Sequence, residues 1–275
     1  MSRLHSVRWL IVAFGLSFAA AGALVQAQQQ GEYQPQVGQP GKDVVWVPTQ
    51  EDLVEKMLDM AKVTPKDYVI DLGSGDGRTV IAASKRGAHA LGIEYNPEMV
   101  ELSIRNAAQA GVSDRATFIK ADLFESDFSK ATVITMFLLP DINIRLRPKL
   151  LNLKPGTRIV SNSFTMEDWV SDDTVSLEGN CSTWCTAYLW IIPAKVEGKW
   201  RMPQGELTLV QQFQKISGTL ESGGKNTPIL GKLTGDQINF DASGAEYNGQ
   251  INSDTISGTV KSGAGNSSWQ ATREK

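Results

Sequence analysis

Tyr68-Val-Ile-Asp-Leu-Gly-Ser-Gly-Asp-Gly-Arg78 reads as a buried strand, Val69 to Leu72, running into a turn with glycine at every second position. Gly73, Gly75 and Gly77 allow positive φ, or leave room for a molecule that must approach the backbone with no Cβ in the way. A helical pattern follows from Arg78 to Arg86. A strand, a glycine turn and a helix N-terminus in that order make a nucleotide cradle. The spacing narrows the choice of nucleotide. A dinucleotide fingerprint needs a third glycine three positions after the second, and that position here is Arg78.

Seventeen residues after Gly77, a second short strand, Ala90-Leu-Gly-Ile93, ends in Glu94. An acid at that point accepts hydrogen bonds from both ribose hydroxyls in Rossmann-type sites. Gly73-x-Gly75-x-Gly77 with this acid resembles motif I of the class I, seven-strand S-adenosylmethionine-dependent methyltransferases. The resemblance implies S-adenosylmethionine as cofactor.

Elements alternate along the middle of the chain: strand 68–72, helix 77–86, strand 90–93, helix 97–110, strand 116–120, a short helical or loop segment, strand 131–138, helix 141–152 and strand 157–161. That alternation predicts an α/β fold with a doubly wound, Rossmann-like sheet. Ahead of it, Thr49 reads as the N-cap of an amphipathic helix carried by Leu53, Val54, Met57, Leu58 and Ala61. After it, Thr174 to Glu178 and Ala187 to Val196 read as two strands joined through a cysteine loop. Such a pair fits the antiparallel addition that completes seven strands in class I methyltransferases. The catalytic domain is thus expected over residues 44–198.

From Gly205 the chain changes to short β-rich runs punctuated by Gly, Ser, Asn and Asp. Gly231-Lys-Leu-Thr-Gly-Asp-Gln-Ile238 lines up, eighteen residues on, with Gly249-Gln-Ile-Asn-Ser-Asp-Thr-Ile256, and Ile216-Ser-Gly-Thr-Leu220 recurs as Ile256-Ser-Gly-Thr-Val260. A hairpin repeat of this length predicts a small all-β meander or barrel-like C-terminal domain over 205–275, an accessory with no catalytic constellation of its own.

At the other end, Arg3 and Arg8 precede an apolar stretch from Trp9 to Leu24 and a small-residue site, Val25-Gln-Ala27. Residues 1–27 are therefore expected to be a signal peptide, with an uncleaved membrane anchor as the alternative. No basic residue follows until Lys42, so the rest is expected to be exported, periplasmic or secreted, touching a membrane only if that segment stays uncleaved. Residues 28–43, rich in Gln, Gly and Pro, read as a flexible linker. Without Arg3 and Arg8 the chain keeps 25 basic against 30 acidic residues, which leaves no electrostatic footprint for nucleic acid.

Cys181 and Cys185 are the two cysteines of the chain. In an oxidising compartment they are expected to form a local disulfide at a hairpin tip, with a redox pair as the alternative. With no histidine nearby they make a poor zinc site, so no metal is expected. His89 reads as a surface residue.

Several residues carry the chemistry. Asp71 either accepts from the cofactor's amino group or holds the glycine turn. Asp76 contacts the cofactor or caps the next helix. By the class I resemblance Asp122, after the third strand, takes the adenine amino group; otherwise it is a loop-capping aspartate. Phe137, Leu138 and Pro140 lie at the carboxyl edge of the fourth strand and are expected to face the substrate. Asp141 either receives an incoming ammonium and its proton or caps the helix that follows. Methyl transfer from a sulfonium needs mainly a positioned, deprotonated nucleophile and an absence of water, so a catalytic triad is not expected.

The resemblance can be narrowed. Trp46-Val-Pro-Thr, Asp71-Leu-Gly-Ser-Gly-Asp-Gly-Arg78, Gly92-Ile-Glu-Tyr-Asn-Pro97, Leu138-Leu-Pro140 and Leu153-Lys-Pro-Gly-Thr-Arg-Ile-Val-Ser161 are similar to the small family of protein-lysine methyltransferases that includes the ATP synthase c-subunit and adenine nucleotide translocase enzymes. It covers about residues 44 to 195. It implies cofactor contacts at Gly73, Ser74, Gly75, Gly77, Glu94 and Tyr95, with Trp46 to Thr49 folding over the site, and a protein lysine as methyl acceptor. Two alternatives stand beside it: a small-molecule methyltransferase, and an exported protein that binds an adenosyl ligand without turnover.

Overall fold

The computed structural model describes residues 33–179 and 181–274. The expected export segment, 1–27, lies outside the described residues. Two layers of helix cover a seven-stranded sheet, and an eight-stranded closed barrel follows.

The sheet begins with β1 (Tyr68–Leu72), β2 (His89–Glu94), β3 (Ala116–Lys120), β4 (Val133–Met136) and β5 (Arg158–Asn162), all parallel, and ends with β6 (Asp173–Ser176) and β7 (Thr186–Ile191). The order is β3-β2-β1-β4-β5-β7-β6, with β7 antiparallel to both β5 and β6. Strands β1 and β4 lie in the middle and are buried on both faces, so they do not alternate; each is apolar but for one residue, Asp71 in β1 and Thr135 in β4. The chain order switches direction at β1, and β4 lies beside β1 there. Ligands of doubly wound sheets bind at the carboxyl edge of that point.

Helix α1 (Glu51–Met60) buries Leu53, Val54, Met57 and Leu58, each worth about 1.5–3 kcal/mol. Helices α2 (Arg78–Lys85) and α3 (Pro97–Gln109) complete that face. Helix α4 (Pro140–Leu150) covers the other with Ile142, Leu146 and Leu150, above Trp169 and Trp190. Glycine lets α2 start directly from the turn: its N-cap is Gly77 at φ 82°, and a Cβ there would meet the Phe118 ring at 2.8 Å.

Three details differ from the sequence reading. The N-cap of α1 is Gln50, not Thr49; the Thr49 hydroxyl is turned inward, where it accepts from Asn162 Nδ2 at 3.1 Å. The described part of the supposed linker is folded. Gly38 N–H donates to the Trp46 carbonyl and Trp46 N–H to Gln39, making a strap that reaches Lys42 and Asp43. Its contacts are backbone bonds and ion pairs, which composition does not announce. The barrel also takes in β8 (Gly198–Met202), ahead of Gly205.

Strands β9 (Gly205–Gln212), β10 (Lys215–Ser222), β11 (Lys225–Thr234), β12 (Gln237–Ala242), β13 (Ala245–Asn252), β14 (Thr255–Ser262) and β15 (Gly265–Arg273) follow as a meander, closed when β15 pairs with β8. Closure removes the exposed edges that a meander would leave. Strand β12 alternates buried and exposed without exception, and the interior is filled by Trp200, Phe240, Trp269 and their aliphatic neighbours.

The barrel is docked on the sheet domain. Phe213 stacks on buried Trp169 at 5.5 Å, Gln214 Nε2 donates to the Val170 carbonyl at 2.7 Å, and Lys232 pairs with Asp172 at 2.9 Å.

Candidate active site

A cleft opens at the carboxyl edge of β1, β2 and β4, lined among others by Asp71, Gly73 to Asp76, Glu94, Tyr95, Asp122, Phe137 and Leu138. Its floor is the glycine turn. Gly73 and Gly75 hold φ of 76° and 54°, the left-handed region that an L side chain adopts only with strain. A Cβ on Gly75 would lie 2.6 Å from the Trp46 indole nitrogen. The strap thus rests on the turn itself. Ser103 Oγ donates to the Gly75 carbonyl at 2.9 Å and Asn106 Nδ2 to that of Asp76 at 2.9 Å, so α3 clamps the turn from behind.

Glu94 does more than face the cleft. Its two oxygens accept from the backbone N–H groups of Gly75 and Asn96, each at 2.9 Å. One carboxylate ties the glycine turn to the start of α3 and keeps lone pairs for a ligand, since each oxygen can accept more than once.

Asp71 sits between Gly92 and Thr135 in the sheet, and its carboxylate accepts from Thr135 Oγ1 at 2.7 Å. Burial pushes its carboxyl up from 3.8 to about 7; the Thr135 bond opposes the rise, and Glu94 and Asp76 add to it. A buried carboxyl poised near neutrality is a structural cost, and groups of this kind gather at functional sites. Beside it the Ser74 hydroxyl is buried without a partner and packs on Gly92, whose missing Cβ makes the room.

Asp76 forks onto Arg78, at 3.0 and 2.6 Å, and accepts from the Arg78 N–H at 3.3 Å at the head of α2. The other arm of Arg78 donates to the Thr49 carbonyl at 2.8 Å. Asp122 accepts from the Phe124 N–H at 2.9 Å and forms an ion pair with Lys42 of the strap, which holds its carboxyl below the usual carboxylate range. The Lys42 ammonium also stands 5.1 Å over the Tyr95 ring. Lys42 therefore occupies one oxygen of the acid expected to meet adenine.

Of the residues expected to face the substrate, Phe137 is half-buried in the lining, Leu138 is buried against Gly73, and Pro140 is exposed at the first turn of α4. Asp141 is exposed on that turn and outside the lining; the N-cap of α4 is Leu139. Cys181 and Cys185 are joined, with Cα atoms 5.9 Å apart, in the loop from β6 to β7. His89 is exposed.

Sequence reasoning missed Lys42, Thr135, Ser103 and Asn106. Thr135 alone left a signal, a polar residue inside an otherwise apolar strand. The others act on backbone or carboxyl groups distant in sequence, and no local pattern marks them.

Residues 71–173 match the family model of the ANTKMT methyltransferase domain. The chain is 44% identical over 153 residues to a protein-lysine N-methyltransferase of Saccharolobus islandicus, a match that spans 54% of this chain and 94% of that protein.

The chain belongs to the protein-lysine N-methyltransferase family.

The mouse lysine N-methyltransferase of the ATP synthase c-subunit is 36% identical over 140 residues. The chain spans 56% of that relative's length. Among solved structures, an RNA methyltransferase of Salinibacter ruber in complex with S-adenosyl-L-homocysteine shares 47% identity with a TM-score of 0.51, over 55% of this chain and 96% of its own. The Saccharolobus protein and the Salinibacter chain each match little more than half of this chain with almost all of their own length. For this family the cleft offers what an adenosyl cofactor requires: a turn with no side chains in the way, an uncommitted buried hydroxyl at Ser74, and carboxylates at the ends of β1 and β2.

Proposed function

We propose that the chain is an exported methyltransferase that uses S-adenosylmethionine to methylate lysine side chains of a protein. The observation that carries this is Glu94, bonded across to the N–H of the left-handed Gly75 turn at the floor of the cleft. Bound there, the cofactor supplies a sulfonium methyl that is electrophilic without further activation. Every other task falls to the chain's own residues. Gly73, Ser74, Gly75 and Gly77 line the turn side, Glu94 takes ribose hydroxyls, and Asp71, ionised above pH of about 7, faces the cofactor's ammonium. Asp122, now paired with Lys42, and Tyr95 would hold the adenine end. Thr49 and Trp46 anchor the strap that keeps water out. Phe137, Leu138 and Pro140 form the acceptor side, and exposed Asp141 meets an incoming ammonium at the mouth.

A protein acceptor is supported by the family and by the excess of acid over base, 30 against 27 in the whole chain. An RNA acceptor, as the Salinibacter structure's name describes for that protein, would need a basic surface. Export is supported by the basic and then apolar pattern of residues 1–27 and by the formed disulfide.

Calorimetric titration of the mature chain with S-adenosylmethionine and S-adenosylhomocysteine tests the reading, together with transfer of labelled methyl to envelope proteins, to RNA and to a small-molecule extract. Binding of both ligands and labelled lysine are expected. No binding to either ligand sinks the enzyme. Label in RNA or in small molecules replaces the acceptor class, and binding without any label makes the chain a non-catalytic binder.

A further inference from the structure

Three aromatic rings meet at Phe137, a residue of the cleft lining. Phe137 comes from the end of β4, Phe164 from the loop after β5, and Trp184 from the loop closed by Cys181–Cys185. Their centroids are 6.0 Å apart for Phe137–Phe164, 5.8 Å for Phe137–Trp184 and 5.1 Å for Phe164–Trp184. At those separations the rings touch one another, so they make a continuous wall and not an open cage. Phe137 belongs to the lining of the cleft as well. The wall is therefore an extension of the cleft's acceptor side.

Trp184 is 44% exposed and holds φ at 59°. Ser163, next to Phe164, has the same φ. Bulky residues avoid that region, and strain of this kind gathers where a fold must present a side chain. The Phe164 carbonyl is held by Ser161 Oγ at 2.7 Å and by Asn143 Nδ2 at 3.3 Å, and the disulfide ties the two ends of the Trp184 loop. Nothing about packing a core calls for an indole held out in water by a strained, cross-linked loop.

The stretch that carries Phe164 and Trp184 holds no cation of its own to compete for the ring faces. From Ile159 to Ala194 the sequence has no lysine or arginine and five acids: Glu167, Asp168, Asp172, Asp173 and Glu178. Asp168 and Asp172 are engaged by Arg147 and Lys232. Glu167, Asp173 and Glu178 are exposed. Aromatic faces attract cations through their quadrupoles, most strongly when the cation is poorly hydrated. Each methyl added to an ammonium strips hydration and improves that contact.

We propose that Phe137, Phe164 and Trp184 form the subsite for the acceptor lysine side chain, with the Cys181–Cys185 bridge holding Trp184 in place. Its methylene stem lies along the rings and its charged end meets a ring face. The subsite holds the side chain more tightly as methyl groups accumulate. Each transfer forms an N–C bond as the sulfonium C–S bond breaks, leaves S-adenosylhomocysteine and releases the ammonium proton to solvent at the open end of the wall. The proposal rests on the methyltransferase reading for its role, and its binding chemistry can be tested without turnover.

The probes are Nα-acetyl-lysine methyl ester, its Nε-trimethylated form, and the neutral isostere with a tert-butyl group in place of trimethylammonium. They are titrated into the mature chain while its indole N–H resonances are followed. Trimethyl-lysine is expected to shift the Trp184 signal and to bind about tenfold tighter than either the unmethylated or the neutral probe. Trp184→Ala should lose that tenfold and Trp184→Phe should regain most of it, with S-adenosylmethionine affinity unchanged in both. Cys181→Ser/Cys185→Ser, or reduction of the wild type by dithiothreitol, should move affinity in the same direction as Trp184→Ala. Equal binding of the cationic and neutral probes overturns the proposal, as does full affinity in a folded Trp184→Ala. Failure of the wild type to bind S-adenosylmethionine would instead remove the methyltransferase, while the probe titration still decides whether the wall binds a lysine cation.

Discussion

In the sheet domain, strands that touch are often distant in the chain: β1 at 68–72 lies between β2 and β4, and β4 begins at Val133. In the barrel every pairing except the closing one between β15 and β8 joins consecutive strands. The two parts also treat polar groups differently. The carboxyl edge of the sheet buries Asp71 and leaves the Ser74 hydroxyl without a partner. Among the described residues, no buried side-chain polar atom of 198–274 lacks a partner. One region leaves a buried hydroxyl and a buried carboxyl beside a cleft, and the other pairs its buried polar side chains. The difference teaches where change should affect binding and where it should affect only stability.

Phe240→Ala is the hardest test of the barrel's side. Phe240 is fully buried and stacks on Tyr247 at 4.7 Å. Its loss should cost about 3–5 kcal/mol in denaturant unfolding. Cofactor affinity, measured below the transition, should not change; a large loss of affinity would break the separation of roles.

Asp71 probes the opposite side. Its carboxyl is raised in the folded state, so the folded protein binds a proton that the unfolded chain has released. Stability is therefore fully present below pH 3.8 and falls as pH rises toward about 7, then levels off. The ionised group costs up to about 4 kcal/mol by that shift. Asp71→Asn should flatten the fall between those pH values while weakening S-adenosylmethionine binding. Cofactor affinity of the unmutated protein should instead rise through pH 7. A pH-independent affinity would make Asp71 a structural group only.

Glu94→Ala removes an acceptor from two backbone N–H groups and, on the proposed reading, from the ribose. Cofactor affinity should fall about a hundredfold by calorimetry. If affinity holds and only the melting temperature drops, Glu94 serves the turn alone.

Lys42→Ala should have the smallest effect. The Lys42–Asp122 pair is exposed, so freeing Asp122 should raise cofactor affinity by about twofold to threefold, less at high salt. A loss of affinity would show that the strap's lysine serves the bound state.

Much of the fold was legible because its signals are short-range. The order of elements from β1 to β5 follows from hydrophobic runs and glycine punctuation, and the barrel follows from the repeat Ile216-Ser-Gly-Thr-Leu220 and Ile256-Ser-Gly-Thr-Val260. Turn glycines and Glu94 were visible in the same way. The strap was not, since a Gln, Gly and Pro-rich stretch looks the same whether solvated or hydrogen-bonded. Thr49 misled because the residue type suits a cap, whereas its hydroxyl had a buried partner in Asn162.

Local chemistry in the chain settled which backbone conformations occur and in what order, because a helix, a strand or a glycine turn is specified by residues within a few positions of one another. Which side chains meet was decided in three dimensions. Glu94 finds Gly75 across 19 residues, Lys42 finds Asp122 across 80, and Phe137, Phe164 and Trp184 arrive from three separate loops. Such contacts depend on how the sheet orders its strands, and only folding brings their ends to one edge.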